Sequence, residues 1–185
     1  MKKNFFIFCT IFVLGTILGS MGTISFPIYS NISYFWPASV IQTISGIFFG
    51  WPGILAGTMF PCITNGVTDG SIHHICGFIP ANFIQCALPF YFARKLKISI
   101  YNIKLKDYAM FTVFCAIIPH AIGAVVGCTY LYFIGEITNM FAYGNNIKVW
   151  LIGNIPCSII FGILFIKFLT PVLKDSNILI SEIQP

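Results

Sequence analysis

Six polar side chains stand inside otherwise apolar runs: Gln42, Asn65, Asn82, Gln85, His120 and Asn154. Amides offer donors and acceptors without formal charge, and imidazole can accept, donate or pass on a proton. In lipid such groups are costly, so those retained usually face the protein interior. Their chemistry suits holding a small polar molecule by hydrogen bonds rather than converting it. The alternative is that they join helices to one another, at about 0.6 kcal/mol per interhelical hydrogen bond, with no ligand involved. Asp69, His73, His74 and Glu136 lie in short polar segments between the apolar runs. Imidazole and thiolate are good metal ligands, which makes His73, His74, Cys76 and Asp69 a second group to weigh. Adjacent histidines do not readily point at one ion and the spacing matches no known metal motif, so a solvated loop is expected, with no metal and no cofactor. No G-x-S-x-G, H-E-x-x-H, phosphate-binding Gly-rich loop or paired-carboxylate arrangement occurs, so no catalytic residue is assigned and the chain is not expected to be an enzyme.

The elements that position these residues follow from charge. Between Lys3 and Arg94 the only formally charged side chain is Asp69. A soluble domain would not leave so long a stretch of surface without charge, so its solvent is lipid. Of 185 residues, 57% are hydrophobic and 8% charged, against roughly 25% charged in soluble domains. The formal charge of +5 does not indicate nucleic acid: five of the ten basic residues, Arg94, Lys95, Lys97, Lys104 and Lys106, crowd one short segment beside an apolar run. That is the pattern of a cytoplasmic loop. The seven cysteines are scattered with no C-x-x-C pair and read as small buried hydrophobes.

A helix crossing a bilayer core of ~30 Å needs about 20 apolar residues. Six spans are predicted in a single domain covering residues 1–185: Phe5–Ile24, Pro37–Phe49, Pro52–Val67, Cys76–Ala93, Tyr108–Ile134 and Ile147–Leu169. Gly50-Trp51-Pro52-Gly53 breaks an apolar stretch too long for one helix, which makes the second and third spans an antiparallel pair, both short. The first span resembles a signal peptide but is read as uncleaved. Placing Lys2-Lys3 and the basic segment both in the cytoplasm requires an even number of spans between them, and four are predicted. Both termini are then cytoplasmic, in a multi-pass protein of the cell membrane. Residues 25–36, 68–75 and 135–146 become external loops free of Lys and Arg. The six polar residues fall in the outer half or near the middle, with Asn154 about 10 Å below the outer end of its span. An outward-facing pocket formed by Asn82, Gln85, His120, Asn154, Gln42, Asn65 and Asp69 is therefore expected.

Small residues add one further candidate surface. Gly15 and Gly19 form a G-x-x-x-G on the first span, with Gly22 one turn on, and Gly46, Gly50, Gly53 and Gly57 continue such spacing around the hairpin. These faces allow close helix approach, within the protein or against a partner.

With these residues in view, the chain resembles the substrate-binding S components of energy-coupling factor transporters. The similarity lies in size, in the six spans and in the run from Phe35-Trp36-Pro37 through Gly46-Ile47-Phe48-Phe49-Gly50-Trp51-Pro52-Gly53 to Gly57, together with Gly153-Asn154. The resemblance implies capture of a vitamin or other micronutrient from outside, with a membrane coupling subunit and ATPase subunits on separate chains. It also implies that Gly15 and Gly19 face the coupling subunit. Lys2 stands where nickel and cobalt members carry a histidine ligand. Tyr34-Phe35-Trp36-Pro37-Ala38-Ser39, Trp51-Pro52-Gly53, the stretch from Ala81-Asn82-Phe83 to Arg94-Lys95-Leu96, and Leu169-Thr170-Pro171-Val172-Leu173 are similar to bacterial membrane-associated sensor domains. That resemblance implies a sensor-like or structural module that binds a ligand or a partner helix without transport.

Overall fold

The computed structural model of the chain describes residues 2–25, 27–29, 32–68, 72–101 and 103–175. These form an all-α protein with one small two-stranded ribbon. Helix α1 runs Lys2–Ser25, and strands β1 (Pro27–Tyr29) and β2 (Ile32–Ser33) pair antiparallel. Helices α2 (Ser39–Phe49) and α3 (Trp51–Thr68) follow, then α4 (Ile72–Gly77) and α5 (Ile79–Lys95). Helix α6 (Leu105–Met110) passes through a π-helical stretch, Phe111–Ile117, into α7 (Ile118–Phe133), and α8 (Met140–Asp175) closes the chain. Among the described residues four helical segments are long and apolar enough to cross a membrane: Lys2–Gly22, Ile72–Lys95, Leu105–Phe133 and Met140–Leu173. Their outward faces carry large exposed apolar residues, among them Phe5, Val13, Ile17, Phe83, Val113, Val125, Ile152 and Ile160, as lipid-facing helices do.

The α2–α3 hairpin turns on a single residue. Gly50 has φ 61°, a left-handed conformation that favours glycine, and its N–H donates to the Gly46 carbonyl at 2.8 Å. The two helices run back antiparallel in close contact. The Ser45 hydroxyl donates to the Gly53 carbonyl at 3.0 Å, and a Cβ at Gly53 would collide with the Ser45 carbonyl oxygen. Helix α2 has 11 residues and so spans about 16 Å, roughly half a bilayer core. In the chain before it Ile32, Ser33 and Trp36 to Ala38 are buried, while Tyr34 and Phe35 are exposed. The hydroxyl of Ser33 donates to the Gly22 carbonyl at 3.1 Å, and Trp36 N–H donates to the Gly153 carbonyl at 3.1 Å.

Three expected boundaries move. Residues 135–146 are not a loop throughout, because α8 begins at Met140. Asn139 sets that start: its side-chain oxygen accepts the Ala142 N–H at 2.9 Å, the N-cap arrangement that satisfies a free donor in the first turn. Gly144 and Asn146 therefore lie in a helix despite their loop propensity. The polar segment 68–75 likewise contains α4 from Ile72 onward. The basic segment is also partly ordered by a cap, since Asp107 accepts the N–H groups of Lys104 at 2.9 Å and Ser99 at 3.2 Å as α6 begins. Helix α8 is about 54 Å long, more than one bilayer core. Lys148 and Lys167 on it are both exposed and stand about 28 Å apart along the axis.

Two apolar clusters divide the interior. One joins α1, α2, α3, the π-helical stretch and the second half of α8 through Ile7, Ile11, Ile44, Phe48, Phe60, Phe111 and Ile166, and it reaches Ile98 and Ile100 in the basic segment. The other, at the opposite end, gathers Ile32, Phe78, Cys128, Leu131, Ile137 and Trp150.

Candidate functional site

Five separate parts of the chain converge at the end of the bundle away from the basic segment. Residues 32–36, the end of α3, the start of α5 and the first half of α8 enclose a cavity of about 40 Å³, lined by Ile32, Ser33, Trp36, Asn65, Phe78, Gln85, Trp150 and Asn154. α7 backs it with a G-x-x-x-G pair. The Gln85 amide lies against Gly123, and the Trp150 ring lies against Gly127 within 2.7 Å of where a Cβ would stand. Neither side chain would fit if those positions carried a methyl group. A third glycine works from α8: a Cβ at Gly153 would collide with the Ser33 carbonyl oxygen, so its absence lets residues 33–36 lie over the cavity.

The polar side chains have unequal roles. Asn154 lines the cavity and its amide donates to the Trp150 carbonyl at 2.9 Å, while its own carbonyl accepts the Ser39 hydroxyl at 3.0 Å. Asn65 lines it too, and donates to the His74 carbonyl at 3.0 Å. Gln85 is 1% exposed, and its amide nitrogen has no acceptor. The indole nitrogen of Trp150, a residue 8% exposed, has none either. An unmatched buried donor costs about 1–3 kcal/mol.

Gln42, Asn82 and His120 do not line this cavity. The Gln42 amide donates to Asn82 Oδ1 at 3.0 Å, tying α2 to α5, and leaves Gln42 Oε1 without a donor. His120 is fully buried, one turn before Gly123 on α7. Its Nε2 lies 3.1 Å from the Thr43 hydroxyl and 2.7 Å from that of Ser158, joining α2, α7 and α8, and its Nδ1 has no partner. Thr43 already donates to the Ser39 carbonyl at 3.0 Å, so toward His120 it acts as acceptor. These three residues join helices directly behind the cavity. Asp69 lies outside the described residues.

His74 departs from expectation. It lies not in a solvated loop but on α4, buried, with Nε2 2.8 Å from Glu136 Oε1 and its ring stacked on Phe78 at 6.0 Å. Phe78 in turn meets Trp150 edge to face at 5.6 Å, which connects the rim to the cavity wall. His73 meets Tyr130, its carbonyl accepting the Tyr130 hydroxyl at 3.1 Å and its Nδ1 3.5 Å from the same hydroxyl. Among the described residues no group of three His, Cys, Asp or Glu side chains is placed to hold a metal ion.

The glycines assigned to docking are occupied within the chain. A Cβ at Gly15 would run into the Phe60 ring, and one at Gly19 would come within 2.7 Å of Thr64 Cγ2. This face of α1 packs on α3. The residues that sequence reasoning missed are Ser33, Trp36, Phe78 and Trp150 in the cavity wall, and Thr43 and Ser158 around His120. Two signals for them were present: the i, i+4 spacing of Trp150 and Asn154, and the Gly123-x-x-x-Gly127 repeat, which marks a helix face open to bulky neighbours. Compared with known protein families, curated proteins and solved structures, the chain matches none of them.

Proposed function

We propose that this chain is the substrate-capturing membrane subunit of a multi-subunit importer, taking a small molecule from outside and relying on separate coupling and ATPase subunits for energy. The observation that carries the reading is the cavity bounded by the side chains of Asn65, Gln85, Trp150 and Asn154. In the proposed topology all of α1, α2, α3, the α4–α5 pair, the α6–α7 helix and α8 count as spans, with both termini in the cytoplasm. The cavity then opens toward the outside and the Arg94 to Lys106 segment lies inside. The separation of Lys148 and Lys167 supports this frame, because about 28 Å is close to one hydrocarbon core and lysines at both limits can reach the headgroups.

A polar site confined to one half of the bundle supports capture rather than a continuous pore. Toward the inner side the interior is the apolar cluster of Ile44, Phe48, Phe111 and Ile166. With Gly15 and Gly19 packed on α3, a coupling subunit would meet the exposed side of α1, where Val13, Leu14, Ile17 and Met21 lie. The test is purification from native membranes in mild detergent, with mass spectrometry of both proteins and small molecules. Recovery of ATPase and coupling subunits, or of a small molecule lost in Gln85→Met, supports the importer. Recovery with a kinase or cyclase alone overturns it in favour of a sensor module.

A further inference from the structure

We propose that the basic segment joining α5 to α6 is a docking surface for anionic phospholipid headgroups of the adjoining leaflet. This goes beyond the capture reading and does not depend on it, since a sensor module would carry the same surface.

The segment is held in place rather than left to swing in water. At the end of α5 the Lys97 N–H donates to the Arg94 carbonyl at 3.1 Å and the Ile98 N–H to the Ala93 carbonyl at 2.9 Å. Lys97 fills the left-handed position of this turn, at φ 51°, where glycine is usual, so a cation stands there against the backbone's preference. Ile98 and Ile100 are buried in the cluster of Ile7, Phe48 and Phe111, which pins the chain to the end of the bundle. The sign of the exposed charge is uniform. Lys95, Lys97, Lys104 and Lys106 are all exposed, whereas Asp107, the only acid within residues 94–107, is buried and accepts the Lys104 and Ser99 N–H groups. Depth separates lipid from a soluble acidic partner. Tyr91 lies one turn before the end of a helical segment apolar enough to span and is 48% exposed, the setting in which a tyrosine lies at the headgroup boundary. Lys95 Nζ donates to the Tyr91 hydroxyl at 2.9 Å and so shares that level. Leu105 is 85% exposed between Lys104 and Lys106, an apolar side chain for the acyl layer flanked by two cations for phosphates. A soluble acidic protein would match the charge but gives no account of the exposed Tyr91 and Leu105.

The experiment is native mass spectrometry of the full chain in an uncharged detergent, with equimolar phosphatidylglycerol and phosphatidylcholine of identical acyl chains. The first lipid bound is expected to be phosphatidylglycerol by at least about fivefold. Lys104→Gln with Lys106→Gln should lower that preference about fivefold or more, and Lys95→Gln with Lys97→Gln should act likewise. If one of these double variants does not fold, the other decides. Lys148→Gln with Lys167→Gln removes the same number of exposed charges from α8 and should leave the preference unchanged. Glycerol phosphate, which carries the anionic phosphate without acyl chains, should fail to displace the lipid. The proposal is overturned if phosphatidylcholine binds as well, if the segment variants keep the preference, or if the α8 variant loses as much of it. Displacement by glycerol phosphate would overturn it in favour of a dissolved anion. An acidic protein recovered from native membranes and lost in the segment variants, with no preference for phosphatidylglycerol, would overturn it in favour of a protein partner. The importer reading stands or falls separately, on the subunits and small molecules recovered with the parent chain.

Discussion

Gln85→Met should make the ligand-free protein more stable. Ordinarily, replacing a buried polar residue removes hydrogen bonds and costs stability. Here the Gln85 amide nitrogen has no acceptor, and an unmatched buried donor is worth about 1–3 kcal/mol of destabilisation. Methionine has the same chain length and flexibility, so it still fills the notch at Gly123, where the amide now lies, and creates little new cavity. Membrane hydrogen-bond energies run toward the low end of such ranges, so the net gain is about 1 kcal/mol. The assay is reversible unfolding from lipid–detergent micelles into a denaturing detergent, with the midpoint and slope compared against the parent chain. Retention of the slope shows that the same transition is being measured. Gln85→Leu is the control for shape: branched and shorter, it fits the notch less well and should gain less. A loss of more than about 1 kcal/mol in Gln85→Met would refute the reasoning, since it would mean that the amide is already satisfied in the folded chain. A gain, combined with loss of ligand retention, is the trade of stability for function expected of a binding site.

Three further predictions test the frame around the site. Gly53→Ala should destabilise by about 3 kcal/mol in the same unfolding assay, because its Cβ would meet the Ser45 backbone carbonyl, which cannot rotate away as a side chain can. Asn139→Ala should cost about 1 kcal/mol locally and speed hydrogen exchange at residues 140–146, through loss of the bond to Ala142 N–H. Ser158→Ala alone should cost about 1 kcal/mol, since Thr43 still meets His120 Nε2. The double variant with Thr43→Val should exceed the sum of the two single changes, because it strands both ring nitrogens in a fully buried site. Simple additivity would show that the pair does not share the imidazole.

Much of the frame was legible because its signals are local. The hairpin was readable from Gly50-Trp51-Pro52-Gly53, since a left-handed residue and a helix-starting proline leave few other conformations. The structure tightens that four-residue turn to Gly50 itself. The start of α8 was misread for an instructive reason: Gly144 and Asn146 carry loop propensity, yet the N-cap at Asn139 and packing of the following turns override it. His74 was misread because a His-His pair beside Asp and Gly reads as solvated. Its burial depends on Glu136, 62 residues on along the chain, and on Phe78 beneath it. Gly15 and Gly19 could be recognised as a close-contact face, but the identity of the neighbour was not local information. Phe60 and Thr64 supply it.

The amino-acid sequence by itself determined that the chain is helical, that its long apolar runs match a membrane, and which amides and imidazole lie within them. Transfer to lipid adds up residue by residue along a segment, and charge placement biases each connecting loop independently. Only the tertiary structure decided which of those polar groups face a cavity and which merely join helices. A hydrogen bond is satisfied or not by a few tenths of an ångström between groups distant in the chain, such as Ser39 with Asn154, 115 residues apart, or Thr43 with His120, 77 apart. That is why Gln42 and Asn82 pair with each other, His120 is held between two hydroxyls, and Gln85, indistinguishable from them in sequence, lines the cavity with its amide nitrogen against Gly123 and without an acceptor.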